Sequence, residues 1–343
     1  MTKSDIGRDM KGTNIIIRCA QRWLLIGTGS RVILSSVLHL LVDGLCVCCL
    51  YLMVSSLSVS HLVGVFLTYN ILAFLTQPLT GLWADWMERR HWMLLASVIL
   101  LTTAVLATSI VISYGLTAMG VIMVAILLGM GNSLFHVWGG KQVAVTTGND
   151  MRALGAFVST GAFGLALGIV FFSWPLLYVA LLAICLLSTA YVHLDLKAST
   201  AEALDQTVER RFSWMFIWVS LLVLMLVVML RSLVGETFNG EISRTSDLVL
   251  LIGFLSMLGK MAGGWLARYL GIVRMLVLVV FLVTVCLVLR GHGMVFLLVG
   301  LFAVNSTMPV TLYLANVVLP KREGLAFGLL AAALIPGYLL AIL

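Results

Sequence analysis

Eleven runs of roughly twenty apolar residues, separated by short polar or basic segments, restrict what this chain can fold into more than any other feature. A helix needs about 20 apolar residues to cross about 30 Å of bilayer hydrocarbon. The runs fall at about 32–54, 60–84, 92–113, 116–139, 153–173, 175–193, 213–234, 247–268, 274–290, 293–316 and 324–343. They lack the strict polar/apolar alternation of a lipid-facing barrel strand. Helices are the other way to satisfy every backbone polar group in lipid. The expected class is therefore all-α, a polytopic protein whose first partner is the lipid bilayer. Composition agrees: 62% of the 343 residues are hydrophobic and 10% charged, where a soluble domain carries about 25% charged residues.

The net charge of +7 would suggest nucleic acid in a soluble protein, but here it follows the loops. With a cytoplasmic N-terminus, the inner loops receive Arg89, Arg90, Lys141, Arg152, Lys197, Arg210, Arg211, Arg268, Arg274, Lys321 and Arg322, and the outer loops Arg244 and Arg290, with Arg231 near an outer helix end. That asymmetry sets the orientation, multi-pass in the cell membrane, and removes the need for a nucleic-acid partner. Residues 1–31 are basic and show no small-residue cleavage site, so they read as a cytoplasmic tail rather than a signal peptide. The polar segment 194–212 reads as a cytoplasmic linker between a six-span bundle (32–193) and a bundle of about five spans (213–343). A second polar stretch, 235–247, with Glu236, Glu241 and Asp247, reads as an outer loop. The six cysteines lack metal or disulfide spacing and read as apolar packing residues; no metal site and no cofactor are expected.

The halves echo each other. Gly81-Leu82-Trp83-Ala84-Asp85 ends span two, and Gly264-Trp265-Leu266-Ala267-Arg268 ends span eight, an offset of 183 residues. Arg152-Ala153-Leu154-Gly155-Ala156-Phe157 before span five echoes Arg322-Glu323-Gly324-Leu325-Ala326-Phe327 before span eleven. Duplicated halves of this kind are a mark of transporter architecture.

The run Gly81 to Arg90 resembles the signature between helices two and three of the major facilitator superfamily, with Glu88 where that signature carries glycine. His39-Leu40-Leu41-Val42-Asp43, Gln77-Pro78, Gly131-Asn132-Ser133-Leu134-Phe135-His136 and Leu319-Pro320-Lys321-Arg322-Glu323-Gly324 resemble the fosmidomycin-resistance-like exporters within it. In that group proline follows the Phe-His pair; here Val137 does, so a different local helix end is expected. The resemblance covers 32–343 and implies two helix bundles around a central cavity, with twelve spans where this sequence supplies eleven. It also implies a gate made of Gly81, Asp85, Arg89 and Arg90.

Charge inside a bilayer is costly and marks function. Asp43 is the one carboxylate that this reading places squarely within a span, and His39, four residues earlier, shares its helix face. The pair is the candidate for proton coupling; a fixed interhelical hydrogen bond is the structural alternative. Tyr69, Asn70, Asn132, His136, Lys260 and Asn305 are candidates for the substrate cavity. Arg231 reads first as a side chain snorkelling to the outer headgroups. Gly161, Gly164 and Gly168 form a small-residue face for close helix contact. With no P-loop and only dispersed histidines, ATP-driven transport and enzyme activity are not expected. The reading is a monomeric secondary transporter that exports small amphiphilic or anionic molecules in exchange for protons. Proton-coupled uptake and a non-transporting sensor or scaffold are the alternatives.

Overall fold

The structure, a computed structural model, describes residues 3–54, 59–87, 91–115, 117–199, 212–242 and 245–342; for 3–27, 54, 59–62, 197–199 and 342 only the backbone is described. Among these residues eleven helices are long and apolar enough to span a membrane. Spans one to six are Thr28–Met53, Val63–Trp86, Trp92–Tyr114, Ala118–Thr146, Met151–Val170 and Trp174–Leu196. Spans seven to eleven are Trp214–Gly240, Ser246–Leu270, Ile272–His292, Met294–Val318 and Glu323–Ala341. Each apolar run becomes one span. Span one is the apolar part of a longer helix, Lys3–Val54. The linker 194–212 lies largely outside the described residues, as do Arg89 and Arg90 of the expected gate.

Three spans are interrupted, each beside a proline. Span two passes through a π-helical turn, Ile71–Leu75, before continuing as Gln77–Trp86. Pro78 has no N–H, and the amides of Leu79 and Thr80 both return to the Thr76 carbonyl, at 3.1 and 3.0 Å. Span ten breaks between Asn305 and Met308, ahead of Pro309. Span eleven breaks at Ala333, three residues before Pro336. Span four runs unbroken past Val137 to Thr146. The absence of proline there carries His136 ten residues inside the helix end, deeper than the sequence reading placed it.

Lipid tails are as apolar as leucine, so helices in a membrane associate through close packing of small residues. Spans one and five meet backbone to backbone along Gly44, Gly164 and Gly168: a Cβ on Gly44 would sit 3.1 Å from the Gly164 carbonyl oxygen. Leu38, Cys46, Cys49, Phe135, Trp138 and Phe157 fill the core of the first six spans. Cys46, Cys48 and Cys49 are buried free thiols.

At the end carrying the basic loops, Arg31 of span one donates to Asp195 of span six at 2.8 Å, and His91 Nε2 approaches the second Asp195 oxygen at 3.1 Å. Arg31 and Asp195 are almost fully buried. Removing one partner of a buried pair costs about 3–5 kcal/mol. Asp195→Ala is therefore expected to lower the thermal midpoint of the detergent-purified protein and its abundance in membranes. An unchanged midpoint would show that the pair contributes nothing net.

The repeated sequence segments turn out to be contact partners. A Cβ on Gly81 would overlap the Gly324 carbonyl, and one on Gly264 would overlap that of Met151. The end of span two thus presses on the start of span eleven, and the end of span eight on the start of span five. Asp85 accepts hydrogen bonds from the amides of Gly324 and Leu325 at 3.0 and 2.9 Å. It caps span eleven across the interface between halves, where the helix dipole favours a carboxylate. Lys141 lies 3.3 Å from the same carboxylate and donates to the Ala84 carbonyl.

The symmetry-related place of Asp85 is held by Arg268, which cannot accept. There Asp150 caps span five from its own strand of chain, accepting from the Arg152 amide at 2.8 Å and from its guanidinium. The hydrogen bonds from Arg152, joined by the charge of Arg268, hold the Asp150 carboxyl below the usual carboxylate range. A carboxyl depressed in this way stabilises the fold above its unfolded-state pKa and loses that contribution as pH falls through the folded value. Asp150→Ala is expected to cost about 1 kcal/mol near neutral pH and progressively less on acidification. Thermal melts at several pH values measure this; a penalty that grows on acidification would refute the capping role.

Candidate functional site

A cavity of about 380 Å³ lies between the two halves. The first half contributes His39, Asp43, Asn70, Gln77, His136 and Gly161 to its wall; the second contributes Arg231, Glu236, Lys260, Thr311 and Tyr338. Glu236 and Tyr338 lie a few residues from the ends of spans seven and eleven that are remote from the basic loops. The cavity therefore runs from the middle of the bundle toward that remote end, while the Gly81–Gly324 and Gly264–Met151 contacts close the opposite one. A second space of about 200 Å³ shares Arg231, Glu236 and Lys260 and adds Ser256 and Asn305.

At the cavity wall spans one and four bring three ionisable side chains together. His39 Nε2 is 3.3 Å from Asp43 Oδ2 and His136 Nε2 is 3.3 Å from Asp43 Oδ1. The two imidazole Nε2 atoms are 2.7 Å apart. His39 Nδ1 faces the Phe157 carbonyl at 2.7 Å, so it carries the proton donated to that oxygen. In neutral His39 this leaves Nε2 as an acceptor, and His136 then donates to it from its own Nε2. Asn132 donates to Asp43 Oδ1 at 2.8 Å from behind. All four side chains are buried. The i, i+4 spacing of His39 and Asp43 was legible in sequence. Their meeting with His136 and Asn132 depends on how span four packs on span one.

The remaining candidates divide. Asn70, His136 and Lys260 line the larger cavity and Asn305 the smaller. Tyr69 and Asn132 do not. Tyr69 is turned into the core of the first half, because neighbouring residues on a helix point about 100° apart and Asn70 holds the cavity side. Asn132 lies behind Asp43. Arg231 does not snorkel: it is 9% exposed, lines both spaces, and its Nη1 has no hydrogen-bond partner among the described residues. Span seven continues to Gly240, so Glu236 belongs to a helix and not to an outer loop. Asp195 likewise falls within span six. Asp43 is thus not the sole carboxylate inside the spans; ending spans six and seven where their last apolar residues stood hid Asp195 and Glu236. Gln77 was also missed as a lining residue. Its place in the family-like Gln77-Pro78 pair was the available signal.

Two helix bundles, closed on each other at one end around a central cavity with ionisable side chains on its wall, decide the architecture. The fold is that of the major facilitator transporters. The E. coli fucose:proton symporter FucP shares it at a TM-score of 0.61 and 11% identity, over 93% of this chain and 90% of that one. The human organic anion transporter MFSD10 superposes at 0.59 with 19% identity, over 91% and 92%. A bacterial homologue of the iron transporter ferroportin, in an outward-facing state, does so at 0.59 with 16% identity, also over 91% and 92%. No family model and no curated protein matches the sequence. In the major facilitator fold adopted here, the wall residues come from spans one, two, four, five, seven, eight, ten and eleven.

Proposed function

We propose that this protein is a secondary active transporter of the fosmidomycin-resistance-like kind. It exports small amphiphilic or anionic molecules in exchange for protons by alternating access. The observation that carries the reading is the Asp43 carboxylate between two imidazoles on the wall of a cavity between the halves. Asp43 takes up and releases the coupling proton, with His39 and His136 tuning it and Asn132 holding its orientation. Arg231 and Lys260, across the cavity, attract the anionic part of the substrate. Their long-range pull on an anion is strengthened by the low dielectric of the surroundings.

The Asp85 contact with the start of span eleven acts as the latch. It holds the basic-loop end shut while the cavity is reached from the other side. Breaking two charge-assisted hydrogen bonds and the Lys141 contact lets the halves rock the other way. The basic loops support a cytoplasmic N-terminus in the cell membrane, which makes this an outward-facing state of a monomeric carrier. The test is a pH-jump assay in proteoliposomes with a panel of amphiphilic and anionic compounds. Proton movement that depends on compound and protein supports the reading, and its direction separates export from uptake. Proton movement absent with every compound counts against proton coupling.

A further inference from the structure

We propose that His39, Asp43 and His136 form an exchangeable site for a divalent first-row transition-metal ion, reached from the cavity beside Gly161. Two imidazoles and one carboxylate are a donor set that such ions favour. The three residues are buried and their ligand atoms lie within 4.8 Å of one another. With metal–ligand bonds of about 2.0–2.1 Å, neighbouring donors of a tetrahedral site stand about 3.4 Å apart. Each imidazole already meets that value to one carboxylate oxygen, His39 to Oδ2 and His136 to Oδ1 at 3.3 Å, so Asp43 would bind through both oxygens or turn to offer one. The 2.7 Å separation of the two Nε2 atoms has to widen, by about 0.7 Å, and the His136 proton has to pass from Nε2 to Nδ1 to free the ligating lone pair.

Two further observations point to a ligand. First, the supporting contacts of a metal site are in place: His39 Nδ1 donates to the Phe157 carbonyl, fixing the tautomer that turns Nε2 inward. Asn132 donates to Asp43. Such contacts orient ligands and raise their basicity. Second, a Cβ on Gly161 would overlap Asp43 Oδ2 and His39 Nε2. The missing side chain leaves the donors open to the cavity, where water or a substrate atom completes the coordination.

The charges facing the site select the ion. Arg231 and Lys260 line the same cavity from spans seven and eight, together with Glu236. Two cations oppose the mainly ionic binding of Mg²⁺ or Ca²⁺, which require several oxygen donors. Imidazole coordination of Zn²⁺ or Co²⁺ is less dependent on net charge. The sequence reading expected no metal because His136 stands 97 residues from His39 and lies on another span.

The proposal deepens the reading of this cavity as a ligand site and rests on its geometry, not on transport. The experiment uses the full chain, purified in detergent without an affinity tag. Zn²⁺ is titrated calorimetrically, and Co²⁺ is followed by its visible ligand-field absorption. One Zn²⁺ per chain is expected, with a Co²⁺ spectrum of nitrogen and oxygen ligation that excess Mg²⁺ does not remove. His39→Ala and His136→Ala should weaken binding at least about tenfold. Gly161→Ala should do the same while keeping all three ligands, and it guards against a histidine variant that fails to fold. A flat Co²⁺ titration, or equal Zn²⁺ affinity in all three folded variants, overturns the proposal. Metal binding without proton-linked flux would leave the site standing and sink proton coupling. The reverse result would do the opposite.

Discussion

Asp43→Asn is expected to leave a folded protein in the membrane whose substrate-dependent proton movement falls to that of empty liposomes. The carboxamide has the size of the carboxylate. Its oxygen can still accept from Asn132, now 2.8 Å from Asp43 Oδ1. The bond from Asn132 therefore survives, while the group that would bind and release a proton does not. Downhill exchange of substrate between equal proton concentrations should persist at a measurable rate. That contrast separates a coupling residue from one that merely holds helices together. Full proton-linked flux in the variant would remove Asp43 from the mechanism and leave the fixed interhelical hydrogen bond as its role.

A comparable loss, by a different route, is expected from Gly324→Val. The Gly81 carbonyl lies 2.7 Å from where a Cβ on Gly324 would stand, and Asp85 Oδ1 lies at 2.8 Å. One neighbour is backbone and the other a carboxylate held by two amide hydrogen bonds, so a branched side chain is not absorbed by a rotamer change. Overpacking costs about 1–3 kcal/mol, and it is confined to the conformation in which spans two and eleven touch. The equilibrium should therefore move by about 5- to 150-fold toward the state open at the basic-loop end. Packing within each half is not involved, so abundance should hold while transport fails. A cysteine introduced at Ala84, a buried position beside the contact, should be alkylated faster from the basic-loop side in the Gly324→Val background. Unchanged labelling would mean that the contact is not a gate.

The two variants probe opposite ends of one device. Asp43 sits where the cavity reaches the centre of the first half, and Gly324 where the halves shut beneath it. Asp85 holds the second position by accepting two amide hydrogen bonds, which its counterpart Arg268 cannot do. The two inter-half contacts are therefore related by sequence repetition but differ in kind. Span eight rests on span five by glycine packing and the cation–π contact of Arg152 with Trp265, 5.2 Å from the ring centroid. Span two is tied to span eleven by charge.

The eleven spans, their order and the His39–Asp43 pair were determined by sequence alone. Each is a local property: an apolar run of bilayer length, or two side chains one helical turn apart. The family-like segments at Gly81–Asp85 and Lys321–Gly324 were legible too, because they recur in order along the chain. What they touch was not. Three things were decided only by tertiary structure. Which of Tyr69 and Asn70 meets the cavity depends on the rotation of span two about its axis. Arg231 faces inward through the rotation of span seven about its axis, and Glu236 does so because that span continues to Gly240, beyond the apolar run that ends at 234. His136 and Asn132 reach Asp43 because span four runs on past Val137 and lies against span one. Contacts between helices far apart in the chain are set by rotation, depth and crossing of rigid cylinders, and no local pattern of residues encodes those three quantities.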